Sequence, residues 1–203
     1  GIPKNDYYLY QSQWRNRKEY PMVHLLPHWN WEKVSLRQHV VDQQGRISVR
    51  AYSNASRVEL FLNGESQGMQ QFHECLTTDG RSYQEGKNPE ELYLEWLLPY
   101  KPGELLAVAY DENDTEIARQ SIKTAGKAAA IRLLPEENQI KADGRDLAYI
   151  RYQIVDEEGN LVPTANHQIQ FELNGQGQIV GVDNGQQSSR ERYKAQTDGT
   201  WQR

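Results

Sequence analysis

The chain has 203 residues, with 28 acidic against 23 basic side chains and a formal charge of −5. That length exceeds one ordinary sandwich and suits two domains of about 100 residues each, both large enough to bury a core. The charge is spread without a Lys/Arg cluster of the kind a phosphate backbone needs, and no apolar run approaches the ~18 residues of a membrane span, so neither nucleic acid nor membrane insertion is expected.

The opening residues lack the order of a signal peptide, and the sequence does not reveal a compartment. Cys75 is the single cysteine, which leaves no intrachain disulfide and no Cys-based zinc site. Twelve Tyr and five Trp stand against three Phe, as in small domains whose large side chains keep one polar end near water.

Residues Pro3 to Trp14 carry a helix signature, with Pro3 near the first turn, Asn5 or Asp6 as cap, and Tyr7, Tyr10 and Trp14 at spacings of three and four. A helix this short is not stable alone, so its aromatic stripe must pack on the following domain or on another. Polar Arg15 to Tyr20 before Pro21 reads as a linker. From Met22 the period becomes strand-like, and the run Met22 to Trp31 reads as a seam between two domains.

Val23 and Leu25 before Pro27 suggest a first or edge strand. Ile47 to Tyr52 alternates, and Val58 to Leu62 runs into Asn63-Gly64, a strong hairpin signal, with its partner strand through Gly68 to Phe72. Thr77 to Glu90 reads as a polar loop. Leu92 to Leu97 and Glu104 to Tyr110 are further strands around the Pro99 to Gly103 corner, and Thr115 to Lys123 completes the set. This count describes an immunoglobulin-like sandwich.

Thr124 to Ala130 is small and polar, and a second sandwich is expected beyond it. Its strands are Ile131 to Leu134, Gln139 to Lys141, Ala148 to Val155, Gln168 to Leu173, Ile179 to Val182 and a weaker Arg190 to Ala195. Turns fall at Asp143-Gly144, Glu158-Gly159-Asn160, Asn174-Gly175 and Asn184-Gly185. No closing apolar run precedes Arg203, so the expectation is a truncated sandwich with an unpaired edge through which chains could associate. The fold class read from the chain is all-β.

No catalytic residue is assigned. Acidic residues fall in turns (Asp111, Glu112, Asp114, Glu157, Glu158, Asp183) or on outward strand positions (Glu59, Glu95, Glu172), and none has the apolar setting that raises a carboxyl pKa. His24 and His28 share a face of an extended chain but lie too far apart to chelate without further ligands, so no metal and no cofactor is expected. Asp111 to Asp114 with Glu116 reads as a turn rather than a calcium loop. Trp29 and Trp31 project to one side, where they either stack on a sugar ring or pack at a domain junction.

Several of these motifs, in order, resemble a known family. Pro3 to Trp14 followed by His24-Leu25-Leu26-Pro27-His28-Trp29-Asn30-Trp31 resembles the exit from the catalytic barrel of bacterial glycoside hydrolase family 2 enzymes, chiefly β-galactosidases. Tyr52-Ser53-Asn54, Val58 to Gly64 with Gly68, Pro99-Tyr100, Pro102-Gly103 and Ala107 to Asp111 are similar to the first domain after that barrel. The likeness continues through Lys123 to Gly126 and Lys141 to Leu147 to Val180-Gly181-Val182-Asp183-Asn184-Gly185.

The resemblance implies two tandem immunoglobulin-like β-sandwiches with a short N-terminal helix left over from a TIM barrel. Residues 1–21 would be helix remnant and linker, 22–125 the first sandwich and 126–203 the second. Family members hydrolyse β-galactosides with retention through two glutamates on the barrel, and neither motif occurs in this chain. The implied role is therefore non-catalytic, with the upstream barrel as partner and Tyr7, Tyr10, Trp14, His24 and His28 as interdomain packing. The rival expectations are a carbohydrate-binding module using Trp29, Trp31 or Tyr83, and an adhesin-like stalk.

Overall fold

The computed structural model describes residues 3–31, 41–185, 190 and 193. The weak strand expected from Arg190 and the closing residues 200–203 fall mostly beyond 190, so these expectations lie outside the described residues. The chain is mostly β with one short N-terminal helix and several antiparallel sheets.

Helix α1 spans Asn5–Trp14, as its spacing predicts. Its cap differs from expectation. Lys4 occupies the N-cap in extended conformation without a side-chain cap bond, because Asn5 lies inside the helix with its Oδ1 3.3 Å from His24 Nε2. Asp6 remains in the first turn, where the helix dipole favours it.

The strands that follow are β1 (Val23–Leu26), β2 (Arg46–Ser53), β3 (Arg57–Leu62), β4 (Glu65–Gln71), β5 (His73–Leu76), β6 (Ser82–Glu85), β7 (Leu94–Pro99), β8 (Glu104–Tyr110) and β9 (Glu116–Lys123). One antiparallel sheet has the order β1-β2-β7 and another β4-β3-β8-β9. Alternation decides what faces inward. Val23 and Leu25, Ile47, Val49 and Ala51, and Leu94, Trp96 and Leu98 come from the first sheet; Val58, Leu60 and Leu62 with Leu105, Ala107 and Ala109 come from the second. All meet in one core, so the two sheets pack face to face as a sandwich. Each fully buried aliphatic side chain contributes roughly 1.5–3 kcal/mol.

The β3–β4 hairpin turns on Asn63 (φ 53°) and Gly64 (φ 83°), both left-handed as a type I′ turn requires. Asn63 also ties this tip to the β7–β8 corner, donating to Pro102 O and accepting from Glu104 N–H. Gly103 sits beneath it at φ 134°, where a Cβ would collide with the Asn63 side chain.

The stretch expected to be a loop from Thr77 to Glu90 instead contains β6, which pairs with β5 from His73↔Glu85 to Leu76↔Ser82 outside both sandwich sheets. Polar bonds make this hairpin. The Glu85 carboxylate accepts from Tyr83 OH and Glu90 N–H, and Thr77 closes the turn with Arg81. A pattern without apolar alternation hid the strand.

Beyond the sandwich, β10 (Ala130–Pro135) and β11 (Ile150–Val155) pair antiparallel. Ile131↔Ile154, Leu133↔Tyr152 and Pro135↔Ile150 share an apolar face on which Ile131, Leu133 and Ile150 are all more than half exposed. The strands expected at Gln139–Lys141, Gln168–Leu173 and Ile179–Val182 are not formed as ladders among the described residues. Around the first, local bonds take the backbone groups a ladder would use: Asp146 accepts from Lys141 N–H, and Asp143 from the N–H groups of Arg145 and Asp146. The chain divides into two compact units, Gly1–Pro163 and Thr164–Arg203. Within the second, Ile169 is buried, Leu173 and Val180 are half exposed, and Val182 N–H donates to Tyr193 O.

Candidate functional site

A set of long-range hydrogen bonds forms a joint between the sandwich and the β10–β11 hairpin. After β1 the chain passes a cis Leu26–Pro27 peptide and delivers Trp29 into the core, fully buried. Its indole N–H donates to Lys101 O at 2.8 Å, and its ring meets Tyr100 edge-on at 5.3 Å. Trp31 is 8% exposed, stacks on His28 at 4.7 Å and donates to His28 O. A sugar platform needs an open aromatic face. Both indoles are buried in this structure. His28 Nδ1 accepts from Asn30 N–H, and burial lowers its pKa.

Asn30 then pairs with Ala125 like a strand neighbour, its Nδ2 donating to Ala125 O and its Oδ1 accepting from Ala125 N–H. Thr124 Oγ1 donates to Trp29 O and accepts from Gly103 N–H. One residue further, Gly126 N–H donates to the buried Asp156 carboxylate, which also accepts from the N–H groups of Glu158 and Asn160 and from Asn160 Nδ2. The Gly126 bond, with those from Asn160 and Glu158, holds Asp156 below the usual carboxylate range despite its burial. The small polar segment 124–126 is thus pinned at both ends. Sequence reasoning missed this clamp, since Asp156 reads as one more turn acid.

The second arrangement is helix α1. Tyr8 stacks on His24 at 3.7 Å, and His24 lies 6.4 Å from Tyr52, which in turn meets Tyr93 edge-on. Arg50 stands over Tyr93 and pairs with Glu95. Ser12 is buried with its Oγ donating to Leu9 O. Burial drives the His24 pKa down to about 4, so the imidazole is neutral where it stacks. The opposite helix face carries Tyr7, Tyr10 and Trp14, which are 51%, 55% and 78% exposed, with the Tyr10 and Trp14 rings 4.8 Å apart. The expected stripe is real, and it points away from the sandwich.

At the C-terminal end of α1, Gln13 binds the edge of β6 reciprocally: its Nε2 donates to Gln84 O and its Oε1 accepts from Gln84 N–H. A polar cleft of about 240 Å³ lies beside this pair, lined by Ser12, Arg15, Glu74, Ser82 and Tyr83 among others. The acidic turns serve the backbone. Asp111 accepts from the N–H groups of Thr115 and Asn113, which lower its pKa, and Asp143 does the same with Arg145 and Asp146. Among the described residues, no group of three or more His, Cys, Asp or Glu is placed to hold a metal ion.

Residues 131–202 match the model of the glycoside hydrolase family 2 C-terminal domain 5, and residues 44–118 match a domain of unknown function, DUF4982. The chain is 37% identical over 195 residues to a beta-galactosidase of Bacteroides ovatus, covering 96% of this chain and 20% of that protein. It is 31% identical over 186 residues to a putative beta-glucuronidase of Formosa agariphila, covering 91% of this chain and 16% of that one. Among solved structures, a beta-glycosidase from Bacteroides vulgatus superposes with a TM-score of 0.70 at 30% identity, over 91% of this chain and 20% of its own. A family 2 glycosyl hydrolase from Bacteroides cellulosilyticus superposes at 0.63, also at 30% identity, over 85% of this chain and 22% of its own. This chain spans about a fifth of the length of such relatives.

Proposed function

We propose that this chain, which carries C-terminal domains of a glycoside hydrolase family 2 enzyme, is a non-catalytic buttress for the catalytic domain of its parent. The observation that carries the reading is α1: one face is held to the sandwich by Tyr8 stacked on His24 and by Asn5 beside the His24 ring nitrogen, while Tyr7, Tyr10 and Trp14 are all more than half exposed. A ten-residue helix with that much exposed aromatic surface is built to be covered. In this reading α1 is the last helix of an upstream barrel, with 1–21 as helix and linker.

The strand order supports an immunoglobulin-like assignment for residues 22–125. Taking β1, β2, β3, β4, β7, β8 and β9 as A, B, C, C′, E, F and G gives A-B-E facing C′-C-F-G. Residues 126–203 make the second sandwich, and the apolar face of β10–β11 is the inner face such a domain needs. The pinned segment 124–126 transmits orientation through a joint of directed hydrogen bonds instead of a flexible linker. The parent acts on a β-linked glycoside, galactoside first and glucuronide as the alternative, following the names its relatives bear.

The test is deletion of this region from the full-length parent. The expected result is a fall in melting temperature and loss of soluble, active enzyme, with no turnover of a chromogenic β-galactoside by the isolated chain. A parent of unchanged stability and unchanged kcat overturns the proposal.

A further inference from the structure

We infer that the β5–β6 hairpin is a docking arm which, bonded to α1, grips the rest of the domain that α1 closes in the parent enzyme. The inference rests on the buttress reading and extends it to an element the sandwich itself does not need. None of the hairpin's residues belongs to the hydrophobic core. A two-stranded hairpin is at best marginally stable in water, yet this one is specified in detail by the Glu85 bonds and the Thr77–Arg81 turn.

Its attachment shows which way it serves. The reciprocal pair between the Gln13 side chain and the Gln84 backbone makes α1 an extra neighbour on the edge of β6 and joins helix and hairpin in one bonded piece. On that piece Trp14, Tyr10 and Tyr7 are exposed on the helix, and Leu76 on the hairpin is 70% exposed. Between the two elements the cleft holds Arg15, Glu74 and Ser82. A surface of aromatic rings, an exposed leucine and polar groups of both signs matches the mixed chemistry of an interdomain contact. The relatives supply the length of chain for the occupant, being about five times as long as this one.

The experiment is hydroxyl-radical footprinting of Tyr10, Trp14 and Leu76, with alkylation of Cys75 on β5 as a second probe. Both are read by mass spectrometry in the isolated chain and in the full-length parent. Labelling at all four positions should be several-fold slower in the parent. Leu76 and Cys75 labelling equally fast in both proteins overturns the arm; if Trp14 and Tyr10 are protected in that same experiment, the buttress reading stands without it. Protection that grows with concentration in the isolated chain names a second copy as the occupant and also overturns the proposal. In the parent, Leu76→Ser should speed Cys75 alkylation several-fold, while the melting temperature of the isolated chain stays unchanged. A variant that leaves Cys75 as shielded as before counts against the arm.

Discussion

The sandwich built from β1–β4 and β7–β9 and the hairpin β10–β11 start from the same kind of sequence, short alternating strands between turns, and end very differently. In the first, Ile47, Leu60, Leu94 and Leu105 are all but completely buried; in the second, Leu133 is 58% exposed although every residue of its strand has a partner in β11. Pairing along a ladder is therefore not enough to bury an apolar face. A ladder satisfies backbone groups, but only a second sheet removes apolar faces from water, and the free energy of a sandwich lies mainly in that second step.

The largest effect that sharpens this contrast is at Trp29. Trp29→Ala should cost about 3–5 kcal/mol in urea or guanidinium unfolding, since it empties a fully buried ring site and leaves Lys101 O without its donor. Leu133→Ala should stay within about 0.5 kcal/mol in the same chain, as exposed substitutions do. Equal costs at the two positions break the comparison. Next in size is Gly103→Ala, expected at about 1–3 kcal/mol because the new residue must hold φ 134° while displacing the Asn63 side chain. That loss belongs to the β3–β4 and β7–β8 tips and should leave amide exchange in β10–β11 unaltered.

A smaller, pH-dependent effect comes from His24. Its folded pKa of about 4 lies below the ordinary value of 6.5, so between those values the unfolded chain binds more protons than the folded one. The stability that burial of the neutral ring permits is whole above pH 6.5 and is lost progressively as the pH falls toward 4. His24→Phe should flatten the slope of melting temperature against pH in that window, leaving the shallower part due to His28. An unchanged slope means that His24 does not stay neutral against Tyr8.

Legibility followed the same divide. Ile47-Val49-Ala51 and Leu94-Trp96-Leu98 announced their strands because alternation reports a half-buried surface, and Asn63-Gly64 announced its turn because few residues accept two positive φ angles. Helix α1 was legible from its aromatic spacing, but which face would be covered was not: Tyr8 and Ser12 turn inward, and the conspicuous Tyr7, Tyr10 and Trp14 turn out. Hairpin β5–β6 and the Asp156 clamp were invisible because both rest on polar bonds between residues whose types are common in turns. The Gln13–Gln84 pair spans 71 residues and leaves no local pattern. At Trp29 and Trp31, spacing alone gave no way to choose between a sugar platform and packing, and it left unread the burial of both rings.

The smallest expected effect is the most discriminating for the proposed role. Trp14→Ala should change the stability of the isolated chain by less than about 0.5 kcal/mol, because the indole is 78% exposed and touches chiefly Tyr10. Tyr8→Ala, six residues earlier on the other face, should free α1 from the sandwich, since it removes the ring stacked on His24 and leaves the helix too short to persist. Helical circular dichroism should therefore fall in the second variant and persist in the first. In the parent the order should reverse in part, with Trp14→Ala now lowering the melting temperature. A Trp14 that is silent in both proteins has no occupant over it, and the aromatic face of α1 is then ordinary surface.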